Sequence, residues 1–430
     1  MPKPGSSTQV TIWGLLLVSA LALDARPLAG QTPEQRRVDS LQLRLEDAEE
    51  LLQMLRAQIA SVAEAGVQTQ SRVRASIGGR VQMNVFQNSK ETNNSDVPMY
   101  RQQVPDGSLK GGMGMSVRQT VISASVVADD VWGGSFHGDI DVDFFGGQMP
   151  SPGGRTFPLM RIRTARAIVE WPRAQLMIGQ EQPLVAGLNP LSLAAVGAPN
   201  FSYSGNLWLW IPQVRFGVHT GGDRRFGIQG AVLAPTSGDP FDPFVTGFDA
   251  AERSNAPALQ LRGHYSWGAP SRRGEVGLGL HYGQLLDTAR TAQTSSAATL
   301  DFLLPLPLRL ELRGEAFYGQ ALAGLGGGGI GKNFASDSIA PLKTVGGWAQ
   351  LNYRVSPRLT VGAGYGLDDP DDAQLTGPGV RLQNVTQAAH LQWRPAGPVI
   401  IGFEYRTVRT RYDASDYPNR HLNLAFGFEF

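Results

Sequence analysis

From Arg72 to the last residue, apolar and polar positions alternate in segments of about ten residues, the period of a β-strand with two different faces. In the last segment, 421–430, every second residue is apolar, and these residues are Leu422, Leu424, Phe426, Phe428 and Phe430. The positions between them include His421, Asn423 and Glu429. A strand with one apolar and one polar face fits a barrel wall between lipid and water. A soluble β-sandwich also alternates, so the lengths of the connections must discriminate between the two folds.

The alternation predicts sixteen strands, at 73–87, 115–127, 134–145, 160–171, 173–181, 209–219, 224–233, 256–267, 274–284, 295–304, 307–319, 343–355, 358–367, 384–394, 398–411 and 419–430. Their connections are predicted to alternate strictly between short turns and long loops, the long ones at 88–114, 146–159, 182–208, 234–255, 320–342 and 368–383. Short turns on one rim and long loops on the other are typical of outer-membrane barrels. We therefore predict an all-β fold, a transmembrane antiparallel β-barrel of about 16 strands over residues 72–430. A barrel of this width encloses an aqueous lumen, whereas eight strands would be filled by side chains.

Residues 33–66 have a different pattern, rich in helix formers and without glycine until Gly66. Apolar residues recur there in uninterrupted steps of three and four, at Val38, Leu41, Leu45, Ala48, Leu52, Leu55, Ile59 and Val62. This heptad spacing predicts an α-helical coiled-coil stalk whose seam is about 36 Å long. The alternative is a single amphipathic helix that packs on a globular core. The seam residues do not decide between a dimer and a trimer.

The first 30 residues are typical of a secretion signal. Lys3 precedes an apolar run from Ile12 to Leu23, and Ala25 and Ala29 are the candidate cleavage sites. The run is shorter than the roughly 20 residues that a membrane-spanning helix needs. We predict a signal peptide at 1–30, a periplasmic coiled coil at 33–66 and the barrel after it. A buried helix of a cytoplasmic protein is the alternative for the first segment.

Composition narrows the function further. Charged residues make up 17% of the chain, and the mean hydropathy of −0.16 is too polar for a bundle of membrane helices. The net charge of +1 gives no reason to expect nucleic acid as a partner, and the absence of cysteine excludes thiol catalysis and zinc fingers. None of the six histidines stands beside a nucleophile motif, so we predict no catalytic residue, no metal site and no cofactor.

The alternation also assigns charged side chains to the lumen. The predicted pore-lining residues are Arg74, Arg80, Arg118, Asp139, Asp141, Asp143, Arg161, Arg163, Arg215, Arg225, Arg262, Asp301, Arg309, Glu311, Arg313, Glu404 and Arg406. Placing Arg161 and Arg163 inside requires a β-bulge, because Arg166 lies on the opposite face of the same strand by strict alternation. Opposed basic and acidic rows set ion selectivity in channels, although charges that only solvate a wet lumen give the same pattern. The excess of inward arginine favours anionic solutes.

Three loops have unusual compositions. Residues 182–208 contain no charged residue, which is rare for a loop in water. The segment either folds into the lumen as a constriction, covers a subunit interface or packs under the rim. Asp368, Asp369, Asp371 and Asp372 form an acidic loop, interpreted as solvated, with a divalent ion among lipopolysaccharide head groups as the alternative. The glycines of 326–329 predict a flexible loop tip. They do not predict a phosphate-binding loop, because the strand, helix and lysine that such a loop needs are missing.

The signal, heptad stalk and strand pattern together resemble the DcaP-like trimeric porins of Gram-negative bacteria. The local likeness lies in the segments 141–147 (DVDFFGG), 159–163 (LMRIR), 178–180 (IGQ) and 211–215 (IPQVR). The architectural likeness covers most of the chain, but the motif likeness covers only residues 115–218. The resemblance implies a homotrimer through which small anionic solutes diffuse, dicarboxylates among them. Phosphate-selective porins are the neighbouring family.

We therefore predict an outer-membrane porin for passive diffusion of small hydrophilic, anionic solutes. Its predicted partners are outer-membrane lipid and lipopolysaccharide, small-molecule solutes and two further copies of the chain. A structural or tethering barrel whose loops close the lumen is the alternative. A barrel enzyme would need a nucleophile with a histidine base, and a fatty-acid transporter would need an N-terminal plug in place of a charged heptad helix.

Overall fold

The computed structural model describes residues 67–68, 73–103, 111–147, 157–222, 224–238, 247–269, 272–413 and 415–430. The predicted signal peptide and the coiled coil with its seam lie outside the described residues. The strands are β1 (Val67–Gln68), β2 (Val73–Asn88), β3 (Gly112–Ser116), β4 (Val121–Val131), β5 (Gly134–Asp143), β6 (Arg161–Trp171), β7 (Ala174–Glu181), β8 (Ile211–His219), β9 (Arg224–Leu233), β10 (Ala258–Trp267), β11 (Gly274–Leu286), β12 (Ala292–Leu306), β13 (Leu310–Gln320), β14 (Lys343–Ser356), β15 (Leu359–Pro370), β16 (Arg381–Trp393), β17 (Val399–Tyr412) and β18 (Ser415–Glu429). Short 3₁₀ helices lie at Glu252–Ser254, Ala323–Leu325, Gly328–Gly331 and Asp372–Gln374.

The strands form one closed antiparallel sheet. From β4 to β18 each strand pairs with the next, and β18 closes the circle by pairing with β2. β3 pairs with the last residues of β2 and β4 pairs with its first residues, so the two occupy one position in the wall. With the two-residue β1 set aside, the wall has sixteen strand positions, as the alternation predicted. Closure pairs the backbone polar groups that an open edge would expose to hydrocarbon.

In this wall apolar side chains are exposed and polar side chains are buried, the opposite of the arrangement in a soluble protein. Apolar side chains on the outside are exposed, for example Ile228 (59%), Leu278 (66%) and Tyr318 (64%). Polar side chains on the inside are buried, and Gln82, Glu404 and His421 are at most 1% exposed. Such an exterior is stable in lipid and would be an aggregation hazard in water. Among the described residues, no helix has the length and apolarity of a membrane-spanning helix.

Each predicted strand matches an observed wall position, with boundary differences of four residues or fewer. The second strand differs, because residues 117–120 interrupt it between β3 and β4. The prediction that short and long connections alternate strictly is wrong at two places on the long-loop rim. Residues 287–291 and 413–414 there are short connections, so the chain needs no long loop to reverse at that rim.

Candidate functional site

A β-bulge in β6 turns three arginines toward the lumen. Asp141 pairs with Thr164 and the next residue, Val142, pairs with Ile162, so Arg163 is the extra residue of the bulged strand. Arg161 Nη2 donates to Asp143 Oδ2 at 2.7 Å, and Arg166 Nε donates to Asp139 Oδ1 at 3.0 Å. The bulge therefore gives all three arginines carboxylate partners on the inner face of the neighbouring strand.

Arg163 lies at the centre of this group. Its Nε atom is 3.7 Å from Asp143 Oδ2, and its guanidinium lies 5.1 Å from the ring centroid of Trp210. Arg161 lies 5.0 Å from the same ring, so the indole holds both cations by cation–π contacts. On β8, Arg215 points into the same space and donates to Gln182 O at 2.9 Å. We call Arg161, Arg163, Arg166 and Arg215 the arginine arc.

The aspartates of β5 lie beneath the arginine arc. The Asp143 side chain is 0% exposed and that of Asp139 is 9% exposed. The three β6 arginines keep 21% to 31% of their side chains exposed. Asp141 also faces inward and accepts a hydrogen bond from Thr164. The carboxylates of Asp139 and Asp143 are therefore less exposed than the arginine side chains that pair with them.

A second charged group spans β10, β11 and β12. Arg262 is 8% exposed, and its Nε donates to Asp301 Oδ2 at 2.8 Å while its Nη2 donates to Glu275 Oε1 at 2.7 Å. Arg225 lies near the short-turn rim, where its Nε donates to Gly222 O. The Arg262 group is a buried, fully bridged ion triad, whose main consequence is for stability.

The charged residues of β13 have separate surroundings. Glu311 and Arg313 pair with each other at 2.6 Å, and Arg313 also donates to Asn189 O. Glu315 is buried and accepts from Leu188 N and Trp348 Nε1. Arg309 differs from its predicted wall position. It is an exposed residue of the turn before β13 with φ +61°, because alternation does not continue through a turn.

The remaining predicted residues lie on β2, β17 and the β3–β4 junction. Glu404 and Arg406 form a pair with both side chains 2% exposed, and Arg118 pairs with Asp96 at 3.1 Å. Arg80 lies 4.0 Å from Glu429. Arg74 is exposed at the start of β2, on the inner-face register of that strand. Of these residues, Arg74 and Arg80 have exposed or partly exposed side chains, and both lie near the short-turn rim.

The uncharged segment 182–208, which we call the inserted loop, lies inside the barrel. Its main chain and side chains bond to inward-facing groups of the wall: Leu191 N to Gln350, Ser192 Oγ to Glu404, Val196 N to Gln119 and Ser204 Oγ with Thr386. In the other direction, Gln82 and Asn384 donate to Leu193 O and Tyr203 O. The loop thus covers the inner wall from β13 through β18 to β2. It folds into the lumen, as the first of the three interpretations of this segment predicted, and its role as a constriction stays a prediction.

Apolar side chains of the inserted loop pack in several clusters inside the lumen. Leu184 and Leu207 join Leu322 and Leu325 of the β13–β14 connection, while Phe201 stacks on Trp348 at 5.8 Å. Wall carboxylates and amides satisfy many of the loop's polar groups, so the loop needs no charge of its own to lie in the lumen. Burial, mainly, raises the pKa of the Tyr203 hydroxyl above its usual value.

The glycine run 326–329 differs from its prediction. It is buried against the inserted loop, and the predicted flexible loop tip is wrong. Gly326 and Gly327 have φ of +108° and +131°, and a Cβ atom at 326 would lie 2.7 Å from Leu209 N. Glycine is needed there for both backbone conformation and close approach.

The acidic loop holds its carboxylates in separate places. Asp368 is buried and accepts from Ile330 N and Thr344 Oγ1, while Asp369 and Asp372 lie near Arg411. Asp371 caps the short helix that follows it. The part of the chain that the structure describes contains no cluster of histidine, cysteine or acidic residues suited to a metal ion.

Sequence reasoning did not include four residues of the interior charge network, namely Asp96, Arg166, Glu181 and Glu275. Glu275 follows the alternation of β11 and was detectable from it. Arg166 is inside only because of the bulge, and Asp96 reaches Arg118 from a loop. For those two residues the strand pattern carries no signal.

No protein-family model and no curated protein sequence matches this chain. Among solved structures, its fold is similar to the outer membrane channel DcaP of Acinetobacter baumannii, with TM-score 0.64, 16% identity and coverage of 85% of this chain and 100% of that chain. It is similar to an anion-selective porin from Comamonas acidovorans, with TM-score 0.54, 13% identity and coverage of 83% and 100%. OmpF of Salmonella typhi gives TM-score 0.52, 9% identity and coverage of 85% and 100%.

These identities are low, so the similarity concerns the fold. The resemblance to DcaP-like porins that the sequence indicated is confirmed at that level. A closed sixteen-position barrel with an apolar exterior belongs in an outer membrane. Residues 73–430 thus have the fold of the bacterial outer-membrane porins.

Proposed function

We propose that the protein is a porin through which small hydrophilic anions diffuse past the arginine arc. The observation that carries this proposal is the difference in exposure within the arc. Asp143 is fully covered, whereas Arg161 and Arg163 above it are 25% and 21% exposed. A lumen wall with buried carboxylates and accessible guanidinium groups attracts anions and repels cations.

The inserted loop supports the role of a constriction in this proposal. It lies in the lumen along β13–β18 and β2, and it also reaches the arc, where Arg161 Nη2 donates to Gly197 O and Arg215 Nη2 donates to Gln182 O. In this proposal solutes pass the parts of the arc that the loop leaves exposed. Arg163 lies 5.1 Å from the ring centroid of Trp210, and this cation–π contact holds its guanidinium in place. A fixed, partly dehydrated cation beside a narrow passage acts on a passing ion more strongly than a mobile surface charge.

We further propose that the protein works as a homotrimer with its short-turn rim toward the periplasm. The similarity to the trimeric DcaP-like porins and the heptad seam before the barrel support the trimer. The chain enters the barrel at Val73 and leaves it at Phe430, both on the short-turn rim, which suits a stalk on the periplasmic side.

The test is the reversal potential of single channels in a planar bilayer under a potassium chloride gradient. The wild-type protein is expected to conduct in steps of three and to prefer chloride. Arg163→Glu is expected to move the reversal potential toward the potassium value. Lys343→Glu, on the outer face of β14, is the matched control and is expected to leave it unchanged.

Two results would contradict the proposal in different ways. Absence of conductance from a folded, heat-modifiable barrel would favour the tethering barrel whose loops close the lumen. Conductance with the same selectivity in wild type and Arg163→Glu would show that another part of the lumen selects the ion.

A further inference from the structure

The apolar exterior of β17 and β18 ends abruptly toward the long-loop rim. On the outward face of β17, Ile401, Phe403 and Tyr405 are followed by Thr407, Arg409 and Arg411. On β18 the outward residues run from Phe428 to Leu422 and then reach Arg420. Arg409 and Arg420 are therefore at the height where lipid tails give way to head groups.

The strand register brings these two arginines together. Arg409 pairs with Pro418, and Arg420 pairs with Thr407, so the two arginines are diagonal neighbours on one face. Such positions are about 7–8 Å apart, and like charges at that distance repel. The backbone of Arg420 is fixed by hydrogen bonds in both directions with Ser89, each 2.9 Å long. The pair cannot separate by a movement of this strand end.

Carboxylates pair with Arg411 and with Arg409, and they leave Arg420 without an ion pair among the described residues. Arg411 lies 2.8 Å from Asp372 and 4.0 Å from Asp369. Arg409 has Asp416 at 3.5 Å, with both side chains about half exposed. Within the described chain, no carboxylate forms an ion pair with Arg420.

We propose that Arg409 and Arg420 bind a phosphate group of a phosphorylated glycolipid of the outer leaflet. Guanidinium groups match phosphate in charge and in bidentate geometry, and one phosphate between them removes their repulsion. The two side chains face outward, so a solute in the lumen does not meet them. The site requires the barrel to lie in a membrane with its long loops outside, but it does not require conductance.

The experiment titrates the detergent-purified, full-length protein with diphosphoryl lipid A and counts bound lipid by native mass spectrometry. Arg409→Ala/Arg420→Ala is expected to weaken lipid binding about tenfold, because the losses of affinity from two exposed arginine–phosphate pairs multiply. Lys343→Ala, which removes a single exposed cation at the same rim, is the control and is expected to bind as wild type. Inorganic phosphate at equal concentration is not expected to displace the lipid.

Three outcomes would overturn the proposal. They are unchanged lipid binding in the double variant, displacement of the lipid by equimolar inorganic phosphate, and dissociation of the oligomer in the double variant, which would make the patch a subunit contact. Arg409→Lys/Arg420→Lys keeps the charge and tests the geometry if the alanine variant does not fold, and weaker lipid binding is expected. Unchanged conductance in these variants separates this site from the proposed porin function.

Discussion

Two arcs of the inner wall carry similar charges and differ in what covers them. In the arc of β13–β18, Glu404 and Arg406 lie under the inserted loop with 2% of each side chain exposed. In the arc of β5–β8, Arg166 keeps 31% of its side chain exposed above Asp139. Alternation predicts the same inward direction for residues of both arcs. The arginine side chains of the second arc are more exposed than Glu404 and Arg406, although all of them point inward, so direction alone does not identify a functional residue.

We call the arc of β13–β18 the covered arc and the arc of β5–β8 the open arc. The comparison implies that charge changes in the covered arc affect stability and that those in the open arc affect selectivity. Glu404 accepts from Ser192, Asn200 and Arg406. Glu404→Ala leaves Arg406 buried without its carboxylate, and we expect a loss of about 3–5 kcal/mol in the free energy of unfolding. Urea unfolding in lipid vesicles, followed by the heat-modifiable band, measures it.

Glu429→Ala is the control for that variant. Glu429 pairs with Arg394 near the short-turn rim, where the two side chains are 31% and 39% exposed. We expect a loss below about 1 kcal/mol, because water replaces the carboxylate. Equal losses in the two variants would show that the inserted loop does not dehydrate the covered arc.

The position of the inserted loop gives the next largest effect. Gly205 has φ +96°, and a Cβ atom there would overlap the carbonyl oxygen of Gly347 on β14. We expect Gly205→Ala to destabilise the barrel by about 1–3 kcal/mol and to increase the noise of the open-channel current. Gly187, in the same loop, has nothing within 4 Å of a Cβ position, so Gly187→Ala should change neither. A quiet channel in both variants would mean that the loop does not border the conducting path.

These differences mark the limit of the sequence pattern. Alternation follows from the pleat, so the strands, their closure and the inward side of Asp141, Glu311 and Arg406 could be predicted from neighbouring residues alone. The path of the inserted loop depends on contacts with residues up to 212 positions away, such as Ser192 with Glu404. Its lack of charge indicated burial but not the burying surface.

The β6 bulge shows an intermediate case. Two arginines on one parity and one on the other required an irregularity, and the sequence placed Arg161 and Arg163 inside on that ground. It did not add Arg166, because a bulge that turns all three inward is visible only in the register with β5.

A smaller effect is expected in the open arc. Arg166 bonds to Asp139 and Glu181, so Arg166→Met exposes two carboxylates to the lumen. We expect the chloride-to-potassium permeability ratio to fall by less than about twofold at physiological salt, because screening weakens single charges. Reversal potentials at low and high salt measure it, and the effect should be larger at low salt. Arg225→Met, near the short-turn rim, should have less effect. A larger effect of Arg225→Met than of Arg166→Met would mean that the selective region lies at the short-turn rim and not in the open arc.

The smallest effect is expected at Arg309, which the alternation assigned to the lumen. Its φ of +61° and its exposed position in the turn before β13 take it off the inner face of the wall. Arg309→Ala should therefore leave conductance and reversal potential unchanged within error. The strand pattern fails there for a physical reason: the pleat that fixes side-chain direction ends where the backbone enters the left-handed region. A selectivity change as large as that of Arg163→Glu would mean that a side chain at the rim reaches the conducting path. The turns would then have to be counted with the open arc as part of the selective surface.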